Sequence, residues 1–119
     1  MAQHAIETID MTAAIDRGHL SRMTFGDRHL EHEVLELFNR QAQLLLARMR
    51  GGDKAAVAAL AHTLKGSAVG IGAGPVAAAA EAAERAAIAP AGDVSLAVDR
   101  LAAAIEEART LIAVLLREA

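Results

Sequence analysis

Residues 60–88 read LAHTLKGSAVGIGAGPVAAAAEAAERAAI, and this stretch predicts two helices with one break between them. Its first half is rich in alanine and leucine, which favour helix, and it runs into a cluster of glycines, which disfavour helix by about 1 kcal/mol each relative to alanine. Pro75 suits the first turn of the next helix, where its missing amide hydrogen is no loss. Because the connection is short, the two helices are predicted to be antiparallel neighbours.

A longer amphipathic helix is predicted before this hairpin, from residue 30 to about residue 50. Gly51-Gly52 predicts its end with a left-handed C-terminal cap, and Asp53 is a good N-cap for the helix that follows. The apolar positions of the long helix recur at spacings of three and four, with one polar exception. This predicted inner stripe consists of Leu30, Val34, Leu37, Phe38, Gln41, Leu44 and Leu45.

A last helix is predicted after the break at Pro90-Ala91-Gly92 and extends to about Arg117. Asp93 or Ser95 is expected to cap its first turn, because both side chains can accept a hydrogen bond from a free backbone amide there. Its apolar residues again recur with helical spacing. The predicted inner stripe consists of Leu101, Ile105, Ala108, Leu111, Ile112 and Leu115.

Residues 1–12 lack clear periodicity, and we expect them to form a loosely ordered lead-in to a single helical domain over residues 13–119. A short helix is predicted from Asp16 to about Met23, and Asp27 is a good N-cap for the long helix that follows. Four substantial helices with short connections form an antiparallel up-and-down bundle. The predicted fold is therefore an all-α four-helix bundle with a short additional N-terminal helix.

The composition favours helices and argues against several function classes. The chain has 119 residues, enough for one hydrophobic core, and it is 54% hydrophobic but only 2% aromatic. A net charge of −3 and the absence of Tyr and Trp argue against a nucleic-acid partner. Without cysteine, the chain can form neither a disulfide nor a thiolate metal site. It shows no signal peptide and no apolar run of membrane length, so we expect a soluble cytoplasmic protein without membrane insertion. We also expect the chain to be a monomer.

His62 is predicted to face water. At about 100° per residue, the core positions of its helix lie within about 60° of Leu64, whereas His62 lies about 160° away. Gly66 is one turn further along the same face, where a side chain would project back over the imidazole. Lys65 follows His62 by three residues and can bring a cation toward whatever the imidazole holds. The predicted core positions of this helix are Val57, Leu60, Ala61, Leu64, Ala68 and Ile71.

The outer face around His62 carries small, mostly apolar residues, whereas an ordinary exposed helix face carries charged ones. We interpret it as a surface kept clear for a protein partner. A neutral imidazole is nucleophilic near pH 7, and a nearby cation offsets the charge of phosphoryl oxygens. The arrangement therefore suits transient covalent carriage of a phosphoryl group. The predicted partner-binding residues are Ala55, Ala58, Ala59 and Val69.

The run AHTLKGSAVGIGA, residues 61–73, resembles the signature of histidine phosphotransfer (HPt) domains: a histidine, Leu-Lys-Gly with a small pair, and then Gly-Ala. On this resemblance His62 is the phospho-accepting histidine, Lys65 the basic residue beside the phosphoryl group, and Gly66 the glycine that opens the approach. The resemblance extends more weakly over about residues 16–118. The other matching positions are Leu64, Ser67, Ala68, Gly72 and Ala73.

The resemblance implies an intermediate of bacterial two-component phosphorelays. His62 would accept a phosphoryl group from a receiver-domain aspartate, or from a hybrid histidine kinase, and relay it to a response-regulator aspartate. Mg²⁺ would be held by the receiver domain, while the chain itself would bind no cofactor or metal and would have no autonomous kinase activity. The residues alone leave a second class open, a non-catalytic helical interaction or dimerisation module that docks through the small-residue face.

Two other patterns are weaker indications of function. The glycine run differs from a phosphate-binding loop, because Lys65 precedes Gly66 within a helix and no strand comes before it. Histidine and carboxylate side chains cluster on the long helix and are of the types that bind Zn²⁺, but we interpret them as a solvated outer face. They are His29, His32, Glu33 and Glu36.

Overall fold

The computed structural model describes residues 14–118, which form five α-helices and no strand. The predicted lead-in at residues 1–12 lies outside the described residues. None of the helices in the described part has the length and apolarity needed to cross a membrane. The helices are α1 (Arg17–Met23), α2 (Arg28–Gly51), α3 (Lys54–Ile71), α4 (Gly74–Ile88) and α5 (Val94–Arg117).

The four long helices form a closed ring of neighbours. Each packs against the next along the chain, and α5 returns to pack against α2, while the short α1 packs against α3. An ion pair of 2.7 Å between Arg17 and Glu118 joins the start of α1 to the end of α5. The predicted all-α, up-and-down four-helix bundle with an additional N-terminal helix is confirmed.

Aspartate side chains begin four of the five helices. In each case a carboxylate oxygen accepts a hydrogen bond from the backbone amide three residues later, at 2.8–3.1 Å. Such N-caps stabilise a helix by about 1 kcal/mol each, because they satisfy an amide that has no partner within the helix. The predicted caps Asp27 and Asp53 are confirmed, the short helix begins at Asp16 as predicted, and the last helix is capped by Asp93 and not by Ser95. The capping residues are Asp16, Asp27, Asp53 and Asp93.

The end of α2 and part of its predicted inner stripe differ from expectation. Gly51 is the last helical residue, and Gly52 is extended with φ −100° and ψ 163°, so the predicted left-handed cap is wrong. Leu37 and Leu44 are 47% and 51% exposed, so the prediction that they face the core is also wrong. The helix is rotated relative to the predicted stripe, and the residues of α2 that it buries are Leu35, Phe38, Ala42 and Met49.

The interface between α3 and α4 is built mainly from alanine, and these helices form the most extensive pair in the bundle. Ala61 and Ala68 of α3 are fully buried, as are Ala80 and Ala83 of α4. Small side chains at a helix contact let the two backbones approach closely. As a result, polar side chains at the outer edge of this interface can reach from one helix to the other.

Gly72 ends α3 in the left-handed conformation, with φ 79°. A Cβ atom at this position would lie 3.0 Å from the backbone oxygen of Asp16 and 3.2 Å from the ring of His19, because α1 packs directly on the turn. The Asp16 amide also donates to the Gly72 carbonyl at 2.8 Å. Gly72 therefore meets two requirements that only glycine satisfies, a positive φ and a close backbone approach.

Gly70 and Gly74 do not share this role. Gly70 lies within α3 and Gly74 is the first residue of α4, so neither glycine forms the break between the two helices. A Cβ atom at either position would meet nothing within 4 Å, so close helix packing does not explain them either. The Gly70 carbonyl, in the last turn of α3, lies 3.2 Å from Nε2 of His19. His19 of α1 can therefore donate a hydrogen bond to this carbonyl.

We expect Gly72→Ala to lower the free energy of unfolding by about 2–4 kcal/mol, since it adds left-handed backbone strain and a clash with Asp16. Urea denaturation followed by circular dichroism measures this change. Gly74→Ala is the matched control, because its added methyl group enters open space, and it should leave stability unchanged or slightly higher. Equal effects of the two substitutions would contradict the role assigned to Gly72.

Candidate functional site

The buried face of α3 sets the direction of His62. Its buried residues are those predicted from the helical spacing, with Leu60 half-buried beside them. Since these positions face the bundle, the opposite side of the helix faces solvent, and the His62 side chain is 70% exposed. The predicted exposure of the imidazole is confirmed.

Two polar contacts cross the outer edge of the α3–α4 interface. His62 Nδ1 lies 3.1 Å from Oε2 and 3.3 Å from Oε1 of Glu84. Lys65 Nζ lies 3.3 Å from Oε1 of Glu81. The helices are antiparallel, so three residues forward along α3 correspond to three residues back along α4, and the two contacts lie next to each other. The alanine interface beneath them holds the two helices at the separation that these side chains span.

The contact with Glu84 determines which imidazole nitrogen is free. An ionised carboxylate can only accept hydrogen bonds, so Nδ1 of His62 must carry a hydrogen and donate it. In the neutral imidazole Nε2 then carries the lone pair, on the side of the ring away from the carboxylate. Glu84 is itself only 23% exposed, so its position is restricted by the surrounding helices. The contact therefore orients the imidazole so that the Nε2 lone pair points away from Glu84.

Lys65 is close to the imidazole along the chain, but its ammonium group is held by another partner. Its side chain is 35% exposed and contacts Glu81. The same Oε1 atom of Glu81 also accepts from Arg85 Nη2 at 3.4 Å. In this structure the lysine is therefore bound to α4, three residues along the helix from the His62–Glu84 contact.

The face around Gly66 is open. A Cβ atom at Gly66 would meet nothing within 4 Å, so neither packing within the bundle nor contact with the imidazole requires a glycine there. Ala55 and Ala59 are exposed on this side of α3, and Val69 is 55% exposed. Ala58 is a partial exception, because it is half-buried and packs against the core.

The helix α2 also carries two exposed apolar residues, Leu37 and Leu44. The opposite flank of α2 is joined to α5 by the contact between Asn39 and Arg109 at 3.2 Å. At about 100° per residue, both leucines lie about 140–160° around the helix from Asn39, on the side away from α5. The two leucines therefore lie on the exposed side of α2, away from α5.

The sequence did not identify Glu84 as the partner of His62, nor Glu81 as the partner of Lys65. One signal was present: α4 is almost entirely alanine, yet it carries carboxylates three residues apart, the same spacing as His62 and Lys65. To pair these carboxylates with His62 and Lys65, the register of α4 against α3 must be known. The periodicity within each helix does not determine that register. The exposed leucines of α2 were missed for a similar reason, since they follow the same spacing as core residues.

The structure offers no support for the zinc alternative on α2. His29 forms an ion-pair contact with Glu33 at 2.8 Å, and both side chains are largely exposed. Among residues 14–118, no three His, Cys, Asp or Glu side chains come close enough together to hold a metal ion. The open face near His62 is thus the candidate site.

Comparison with protein families matches this chain to the Hpt domain over residues 28–117, from the first residue of α2 to the last residue of α5. The matched region contains His62, Lys65 and Gly66 as well as both carboxylates of α4. Comparisons with curated proteins and with solved structures gave no match.

Proposed function

Because the chain belongs to the Hpt domain family, whose members act in two-component phosphorelays, we propose that it carries a phosphoryl group on His62 between receiver-domain aspartates. The observation that supports this proposal most directly is the exposed imidazole whose Nδ1 is held by Glu84. This contact leaves Nε2 as the acceptor atom. That the chain acts as a monomer in the cytoplasm stays a prediction.

In the accepting step, the Nε2 lone pair of His62 attacks phosphorus of an aspartyl phosphate on the donor receiver. The Nε2–P bond forms, the P–O bond to the aspartate breaks, and the carboxylate leaves with the bonding electron pair. The imidazole becomes a cation that retains its Nδ1 hydrogen, and Glu84 accepts that hydrogen bond throughout. A hydrogen bond between a cation and a carboxylate is stronger than a neutral one, so Glu84 favours the charged ring over the neutral ring.

In the donating step, an aspartate carboxylate of the second receiver attacks phosphorus, the P–Nε2 bond breaks, and the electron pair returns to Nε2. No proton has to enter or leave the imidazole in either step. Phosphoryl transfer depends mainly on positioning and charge stabilisation, and we propose that Mg²⁺ on the receiver supplies most of the latter. Lys65 is the residue of this chain that can add positive charge beside the phosphoryl group.

We propose that the receiver docks on the open face around His62. Exposed apolar residues lie on the same side of α3 as the imidazole and on the exposed side of α2, whereas charged residues would resist the loss of water on docking. Gly66 leaves room for the receiver backbone above the ring. The proposed docking residues are Ala55, Ala59 and Val69 of α3, with Leu37 and Leu44 of α2 and a smaller contribution from half-buried Ala58.

Substitutions at Gly66 are expected to separate stability from transfer. Gly66→Ala should raise the free energy of unfolding by up to about 1 kcal/mol, because alanine favours helix and its methyl group meets nothing. Gly66→Leu should slow transfer from a receiver about tenfold, because a long side chain lies over the preceding turn that carries His62. Urea denaturation and the rate of phosphoryl transfer measure the two effects. Receiver transfer at the wild-type rate in Gly66→Leu would rule out a need for clearance.

The proposed function is tested by incubating the purified chain with a phosphorylated receiver domain and Mg²⁺, and measuring intact mass under non-acidic conditions. We expect the gain of one phosphoryl group, its loss on brief acid treatment, and its appearance on a second receiver. A chain that binds receivers but gains no phosphoryl group from any competent phosphorylated donor would instead be an interaction module.

A further inference from the structure

One carboxylate oxygen at the edge of the site contacts two cations. Oε1 of Glu81 lies 3.3 Å from Nζ of Lys65 and 3.4 Å from Nη2 of Arg85. A single carboxylate charge is thus shared between an ammonium group of α3 and a guanidinium group of its own helix. The two cations compete for Glu81, so a change that releases one of them strengthens the contact with the other.

The position of Glu81 sets where the ammonium of Lys65 lies. A lysine held on Glu81 is drawn toward α4, the side from which Glu84 contacts Nδ1 of His62. A phosphoryl group on Nε2 would project from the other side of the imidazole ring. A Lys65 ammonium released from Glu81 is free to move toward the phosphoryl oxygens.

We propose that Glu81 is a regulatory positioning residue, which holds Lys65 away from the reaction until His62 is phosphorylated, and that Glu81 then stays paired with Arg85 alone. This inference rests on the proposed function of His62. If Glu81 has this role, it makes the phosphorylated form of His62 less favourable relative to the unphosphorylated form. The chain therefore keeps its tendency to pass the phosphoryl group on. Arg85 has the opposite effect, because it weakens the hold of Glu81 on Lys65.

The release of Lys65 is easily reversible because all three side chains are partly exposed, with exposed fractions of 35%, 42% and 77% for Lys65, Glu81 and Arg85. Exposed ion pairs contribute little to stability. On the scale of an exposed ion pair, removing the charge of the Glu81 carboxylate should change the rate of His62 phosphorylation about two- to fivefold. The fold should be unaffected, since none of these side chains is part of the buried core.

The experiment measures the rate of phosphohistidine formation with phosphoramidate, a small donor that needs no docking surface. We expect Glu81→Gln to raise this rate about two- to fivefold and Arg85→Gln to lower it by a similar factor. Glu81→Gln introduced into a Lys65→Met background should have no effect, because there is no ammonium left to release. The exposed Glu107, on α5, supplies the matched control Glu107→Gln, with the same charge change and an unchanged rate.

The Lys65→Met background distinguishes release of the lysine from simple charge repulsion. If Glu81→Gln accelerates phosphorylation equally with and without Lys65, repulsion of the donor by the carboxylate explains the effect and the inference is overturned. An unchanged or lower rate in Glu81→Gln alone overturns it as well, while leaving the function of His62 intact. A wild-type chain that accepts no phosphoryl group from either phosphoramidate or a phosphorylated receiver overturns both proposals.

Discussion

Replacing His62 with glutamine is expected to abolish phosphoryl uptake from a phosphorylated receiver. The glutamine side chain is polar and similar in reach, but its amide nitrogen has no available lone pair to attack phosphorus. The imidazole is 70% exposed and contributes nothing to the core, so the variant should fold as the wild type does. Intact mass after incubation with the phosphorylated receiver measures uptake, and circular dichroism confirms the fold.

His29→Gln is the matched control for this result. His29 is also an exposed histidine on a bundle helix, with a side chain 85% exposed, but it lies on α2 in an ion-pair contact with Glu33. Its substitution should leave uptake complete. An acid-labile phosphoryl group on the His62→Gln variant would mean that another residue is the acceptor, and the proposed role of His62 would have to be abandoned.

Glu84→Ala is expected to slow phosphoryl transfer to His62 about tenfold, since a hydrogen bond to a charged partner contributes about 1.5–3 kcal/mol. The rate falls because the imidazole ring can then rotate and because no carboxylate stabilises the cationic phosphorylated imidazole. Glu84→Gln should lie between alanine and wild type, because its amide oxygen can accept from Nδ1 but carries no charge. Rapid-quench transfer kinetics with one receiver measure all three proteins.

An independent spectroscopic measurement accompanies the kinetics for Glu84. The ¹⁵N signals of the His62 ring distinguish the tautomer with hydrogen on Nδ1 from the one with hydrogen on Nε2, and we expect Glu84→Ala to shift the population toward the latter. Glu107→Ala, on the exposed side of α5, should change neither the kinetics nor the ring signals. Wild-type rates in Glu84→Ala would show that orientation of the imidazole does not limit transfer.

The helices were largely predictable because their signals are local. Asp27 and Asp53 begin helices through hydrogen bonds that span three residues, and Pro75 lies in the first turn of α4 as its fixed backbone favours. The rotation of α2 was less predictable. Leu37 and Leu44 have the same chemistry and spacing as core residues, and only the packing of α3 and α5 against α2 determines which stripe is buried.

The sequence by itself determined the helical bundle, the exposure of His62 and the open face around Gly66, because helical spacing within α3 decides which side faces the core. The tertiary structure alone decided the polar partners. Glu84 meets His62, and Glu81 meets Lys65, only through the register of α4 against α3. That register is set by the packing of small alanine side chains over the whole interface, a collective property that no short motif encodes.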